Sequence, residues 1–155
     1  VTEDGATFIP HIFEVSIGLD RTFYVILDCA FRKEKRGPEE RTYLKLNPRI
    51  APYLVGVFSL VKKDGLYEKS REVAVALRDY ALDVFFDEKG SIGKRYARVD
   101  EIGVPYAVTV DYDTLKDSTV TLRERDSMQQ KRIKILELPE ILWKLQMGKA
   151  DFAGI

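Results

Sequence analysis

One cysteine, Cys29, one histidine, His11, and no apolar run near the roughly 20 residues that a bilayer-spanning helix needs are the first features of this chain. Each scarcity removes a class of protein. A lone cysteine closes no internal disulfide, so nothing argues for secretion. A structural zinc site wants several Cys or His ligands, and a single histidine with apolar neighbours builds neither a Ser-His-Asp nor a Cys-His arrangement. Side-chain amides are limited to Asn47, Gln129, Gln130 and Gln146, while 32% of residues are charged, a balance that leans toward a thermophilic source. Excess charge of one sign is also missing: 25 basic residues face 25 acidic ones, which taken whole argues against a nucleic-acid binder. Residues 1 to 7 carry no targeting pattern and no methionine, so the chain reads as cut from a longer one.

What is present fits a globular, water-soluble protein. With 155 residues, 45% of them hydrophobic, the chain can bury the core of one domain, or of one domain plus part of another, and it is not disordered. His11 to Ile17 alternates in the manner of a half-buried strand, which sends Glu14 and Ser16 to the same face. Gly18 breaks that run, and Leu19, Phe23, Ile26, Leu27 and Ala30 mark a helix with Arg21 in its first turn. Residues 32 to 49 are charged and contain Gly37, Pro38 and Pro48, so they read as an exposed connection with one short strand around Tyr43 to Leu46.

A second unit follows, giving domains at residues 1–50 and 51–155. Tyr53 to Leu60 reads as a strand buried on both faces. A helix inner face runs from Leu66 to Ala81, and a short strand covers Val84 to Phe86. Lys94 to Ile102 is a helix closed by Gly103, and Tyr106 to Val110 an apolar strand. Thr119 to Arg125 and Lys131 to Ile135 form an antiparallel hairpin, and Pro139 opens a last helix that ends before Gly148. The order β-α-β-α-β-β-β-α implies an α/β fold: a mixed, mostly parallel sheet flanked by helices.

The hairpin is the most informative element. If Val120 and Leu122 face the core, then Thr119, Thr121, Arg123 and Arg125 face the other way, as do Arg132 and Lys134 on the partner strand. Four cations and two hydroxyls then share one surface, where phosphate oxygens would offset their repulsion. An edge strand kept soluble by its charges is the competing reading. Charge also clusters along the chain. Five basic residues stand against Glu124 and Asp126 between Thr121 and Lys134, and seven stand against Glu34, Glu39 and Glu40 between Arg32 and Arg49. Acids collect at Asp79, Asp83, Asp87 and Glu88 and again at Asp111, Asp113 and Asp117. Gly90-Ser91-Ile92-Gly93-Lys94-Arg95 is not a P-loop, because Glu88 stands where the first glycine should be and Arg95 where Ser or Thr should hold magnesium. A small-ligand domain using this turn is one alternative, since a helix N-terminus can receive a phosphate.

The run from Gly90 through Tyr96, Arg98, Asp100 and Gly103 to Pro105, followed by Thr119-Val120-Thr121-Leu122-Arg123-Glu124-Arg125-Asp126-Ser127-Met128, closely resembles the C-terminal anticodon-binding domain of the glycyl-tRNA synthetases. Glu14-Val15-Ser16-Ile17-Gly18-Leu19-Asp20-Arg21 resembles the third signature motif of class II synthetases in its glycyl form, with Val15 where proline is frequent. The resemblance spans about Phe8 to about Gly148.

It implies that the first 50 residues are a strand-helix remnant of a class II catalytic domain. There Arg21 would pack on the ATP adenine and hold the triphosphate, while Glu14 and Ser16 would line the glycine pocket. It implies anticodon contacts from Arg123 and Arg125, then Arg95, Arg98 and Tyr96, and phosphate contacts from Arg132 and Lys134. The parent would be a cytoplasmic, homodimeric glycine–tRNA ligase with ATP and magnesium, glycine and glycine tRNA as its cofactor and partners. This chain would supply mainly anticodon recognition and would be inactive alone, with no cofactor of its own and no membrane contact, because the other two class II motifs are absent. A non-catalytic accessory protein that binds nucleic acid or another subunit is the alternative. The presence of Glu14, Ser16 and Arg21 speaks against it.

Overall fold

The structure, a computed structural model, describes residues 2–3, 5–7, 9–36 and 39–155. Phe8, Gly37 and Pro38, which the sequence reading used, lie outside the described residues. In chain order the elements are β1 (Thr2–Glu3), β2 (Ala6–Thr7), α1 (Leu19–Ala30), β3 (Phe31–Arg36), β4 (Glu39–Leu44), β5 (Val55–Ser59), α2 (Leu66–Asp79), β6 (Val84–Phe86), α3 (Ile92–Ile102), β7 (Tyr106–Val110), α4 (Thr114–Asp117), β8 (Thr119–Glu124), β9 (Gln130–Lys134) and α5 (Leu138–Gln146). A final 3-10 turn covers Phe152–Gly154.

A five-stranded sheet in the order β6-β5-β7-β8-β9 organises the larger unit. β5 pairs in parallel with β6 and β7, the pairings that crossover helices permit, while β7-β8 and β8-β9 are antiparallel. Side-chain alternation sorts the two faces. Val55, Val57, Val108, Val110, Val120, Leu122 and Ile133 join Leu66, Val73 and Leu77 of α2 and Leu138 and Leu142 of α5 in the main core. Phe58 and Ala107 point the opposite way and pack with Val99 of α3 and Val104 in a smaller core. Gly56 lets α3 come that close, because a Cβ there would sit 2.8 Å from the Phe58 ring and 3.2 Å from Val99.

The first 50 residues depart from expectation in two places. The segment expected as a strand from His11 to Ile17 has no regular structure, and both of its faces are open, with Ile12 85% and Phe13 91% exposed. Alternation assigns faces to a strand but does not supply the neighbour that its N–H and C=O groups require, and no described residue provides one. Helix α1 has the expected limits, yet its apolar stripe is uncovered except near its end, where Ala30 is buried.

The second departure is the connection at 32–49, most of which is an antiparallel hairpin. Its register sets Glu34 opposite Arg41, Lys35 opposite Glu40 and Arg36 opposite Glu39. Lys33 reaches Glu40 at 2.8 Å and Arg41 stands 3.9 Å from Glu34, so part of the charge that resembled a solvated loop is paired across the strands. β4 carries Tyr43, which is 3% exposed and donates its hydroxyl proton to Glu34 at 2.6 Å. Beyond it, Leu44 and Leu46 close on Gly103, the left-handed cap of α3 (φ +92°), where any Cβ would come within 2.6 Å of Leu46.

Candidate nucleic-acid interface

The face of β8 and β9 opposite the main core holds Arg123, Arg132 and Lys134, with Arg125 just past the end of β8, and two features make it unlike a plain cationic surface. It is roofed in part by α3 and by the β3-β4 hairpin, and its acids come from distant positions. Arg123 is only 3% exposed and makes a two-pronged bridge to Asp100 of α3, with Nη1 to Oδ1 and Nη2 to Oδ2 both at 3.0 Å. Its guanidinium lies 4.7 Å above the Tyr96 ring. Arg125, 2% exposed, donates to the Gly103 carbonyl at 2.8 Å, the Leu46 carbonyl at 3.0 Å and Asp126 at 2.7 Å. The expected surface of four cations is therefore corrected: alternation gives the right face, but a second layer covers half of it.

The other candidates divide between interior and surface. Arg95 is buried, donates to the Ser59 carbonyl at 2.7 Å and lies over the Phe58 ring; burial holds its guanidinium pKa below the usual value. Arg98 is half-exposed and binds Asp87 and the Lys89 carbonyl. Tyr96 shares a 2.6 Å hydrogen bond with Thr109, and burial raises its phenol pKa. Arg132 reaches Asp111, Thr119 and Thr121 across the open part of the face. Lys134 is exposed, with Glu137 3.6 Å away.

The segregation of charge along the chain does not survive folding. Asp87 and Asp111, counted among separate acidic clusters, are partners of Arg98 and Arg132. Burial alone would raise both carboxyl pKa values. For Asp87 the Lys89 N–H and Arg98 outweigh it; for Asp111 the Arg132 and Thr114 contacts do, and both groups titrate below the usual range.

Between α3, the hairpin and the β8-β9 turn lies a cleft of about 410 Å³. Arg41 and Thr42 form one wall, Gly93 and Ala97 another, and Met128 and Gln130 a third, with Asp100 and Arg123 at the base. Arg41, missed in the sequence reading, donates Nε and Nη2 to Asp100 Oδ2 at 3.2 and 2.9 Å. One carboxylate thus answers two guanidiniums. The signal was present in α3, where Asp100 falls on the buried stripe with Arg95 and Val99, as a charge sent inward does.

Such a cleft, with guanidinium donors at its base, a stacked Arg-Tyr pair and the Glu40 and Glu101 carboxylates also in its lining, suits an unstacked base read by hydrogen bonding and stacking. The family model described as an anticodon binding domain matches residues 54–145. The chain belongs to the anticodon binding domain family. Among curated relatives, this anticodon binding domain chain is 49% identical over 135 residues to a glycine–tRNA ligase of Borrelia hermsii, covering 86% of the chain and 30% of the relative. It is 47% identical over 134 residues to that of Rhodopirellula baltica, covering 83% and 25%, and 43% identical over 143 residues to that of Archaeoglobus fulgidus, covering 92% and 25%. The chain spans between a quarter and a third of the length of these relatives.

The first-unit candidates are not gathered into a pocket. Glu14 and Ser16 are exposed on the irregular segment, and Arg21 is exposed in the first turn of α1. Among the described residues no group of three His, Cys, Asp or Glu side chains is placed to hold a metal ion, and no helix is long and apolar enough to cross a membrane.

Proposed function

We propose that this chain is the anticodon-reading part of a glycine–tRNA ligase, joined to one motif of its catalytic domain. The observation that carries the reading is the cleft over the Asp100–Arg123 bridge, beside an open sheet face bearing Arg132 and Lys134. The family match and the glycine–tRNA ligase relatives support it. In this reading Arg123, Arg125 and Arg95 shape the site from within. Arg98 and the rim of Tyr96 meet bases, and Arg132 and Lys134 meet phosphates. Residues 51–155 form the reading domain, with the preceding hairpin fastened to it.

Residues 1–50 belong to the catalytic side. The exposed Arg21 guanidinium suits adenine stacking and phosphate contact, while Glu14 and Ser16 offer a carboxylate and a hydroxyl for the glycine ammonium. ATP and its magnesium serve the parent enzyme, read from the same resemblance as a cytoplasmic homodimer that charges tRNA with glycine. One motif cannot align the reactants, so the isolated chain forms no glycyl-adenylate.

The test is binding of the chain to anticodon stem-loops of a glycine tRNA, with native or altered anticodon, across salt. Affinity should fall with salt and drop by about ten-fold or more when an anticodon base is changed, the size of one lost base contact. Equal affinity for both RNAs rejects the anticodon reading.

A further inference from the structure

Helix α1 passes into the hairpin without a linker: Ala30 is its last residue, Phe31 is the first of β3, and the Lys45 N–H bonds back to the Ala30 carbonyl at 2.7 Å. Arg41 fastens the other side of the hairpin. It lies 4.2 Å over the Tyr43 ring, donates twice to Asp100 and donates Nη2 to the Arg125 carbonyl at 2.6 Å. Its Nη1 is buried without a hydrogen bond, and the Glu34 carboxylate stands 3.9 Å off. The hairpin is thus both one wall of the cleft and the continuation of the helix that carries Arg21.

Two guanidiniums drawing on one carboxylate leave unspent donor capacity at the base of the cleft. A carbonyl or phosphate oxygen entering there engages Arg41 as well as Arg123, and any change in how Arg41 is held is felt by β4. We infer that Arg41 is a positioning residue: it ties occupation of the cleft by RNA to the β3-β4 hairpin, and through it to helix α1. This rests on the anticodon reading above. It goes beyond that reading in giving a role to a residue that lies outside the stretch matched by the family model.

Hydrogen–deuterium exchange on the whole chain, with and without the native anticodon stem-loop of a glycine tRNA, tests the tie. RNA should slow exchange in α3 and the β8-β9 turn and also, by about five-fold or more, in β4 and the last turn of α1, the lower end of ordinary site-to-site coupling. In Arg41→Gln the slowing should persist in α3 and the β8-β9 turn and vanish from β4 and α1. Tyr43→Phe removes the bond to Glu34 but leaves the three donations of Arg41, and it should keep the slowing in both regions. A hairpin that acts only as packing would make the two variants behave alike, which overturns the inference. Protection confined to α3 and the β8-β9 turn in the unsubstituted chain overturns it as well, while leaving the anticodon reading intact. No protection anywhere rejects both.

Discussion

Replacing Asp100 by Asn tests whether the interior of the interface is organised by charge. Asp100 is 3% exposed and accepts from Arg123 at both carboxylate oxygens and twice from Arg41 at Oδ2. Asparagine keeps the shape and one acceptor oxygen but removes the charge shared by the buried Arg123 and the largely covered Arg41, leaving Arg41 with the more distant Glu34 carboxylate at 3.9 Å. Removing one partner of a buried ion pair costs about 3 to 5 kcal/mol, and here one carboxylate serves two cations, so the upper half of that range is expected. For a domain of this size each kcal/mol lowers the melting temperature by about 2 to 4 °C, so the loss should exceed about 8 °C. Urea denaturation followed by far-UV circular dichroism gives the free energy, and an unchanged slope shows that the native state keeps its extent. The triple variant Asp100→Leu, Arg41→Met, Arg123→Met should recover most of the stability, because a well-packed apolar cluster avoids the desolvation that the ions pay for. A loss below about 1 kcal/mol for the single variant, or a triple variant no more stable than it, refutes the reasoning.

Three other outcomes are expected. Gly103→Ala should destabilise by about 1 to 3 kcal/mol in the same urea assay, because the site combines a left-handed backbone with a 2.6 Å approach to Leu46; a neutral result would mean that the hairpin does not press on the α3 cap. Asp87 and Asp111 titrate below the usual carboxylate range when folded, so their contribution is present above the unfolded value of about 4 and lost as pH falls through the native value. Asp111→Asn should therefore flatten the decline of stability below about pH 4, and an unchanged acid limb would remove the Arg132 pair from the account. Lys134→Gln should weaken RNA binding equally for native and altered anticodons and lower the slope of log affinity against log salt by about one, whereas a sequence-dependent loss would make Lys134 a base contact.

The parts of the fold that sequence reading reached are those whose pattern is local. The runs at 84–86 and 106–110, the helix stop at Gly103 and the proline start of α5 lie where periodicity and capping put them. The hairpin of β3 and β4 was hidden because charges such as Lys33 and Glu40 meet across its strands where apolar alternation would have marked them, and charge without alternation resembles a loop. The irregular segment before Gly18 failed in the reverse sense: its alternation is real, but pairing depends on a partner that alternation cannot report. The site was half legible. Period two sent Arg123, Arg125, Arg132 and Lys134 to one face, yet it says nothing about what lies on top, and the burial of Arg123 and Arg125 comes from α3 and the residues around Leu46. Asp100 within the buried stripe of α3 was the clue that a cation from elsewhere had to meet it.

Arg125 has a consequence for the order in which the chain folds. Its guanidinium joins Leu46, 79 positions earlier, to Gly103, 22 positions earlier, and the Arg41 contact with Asp100 spans 59 positions. The hairpin can close on itself as soon as it is made, being wholly local. Docking it costs the closure of a far longer loop and must wait for α3 and β8 to exist. During synthesis, the hairpin is therefore the first of these pieces to leave the ribosome and the last to find its seat.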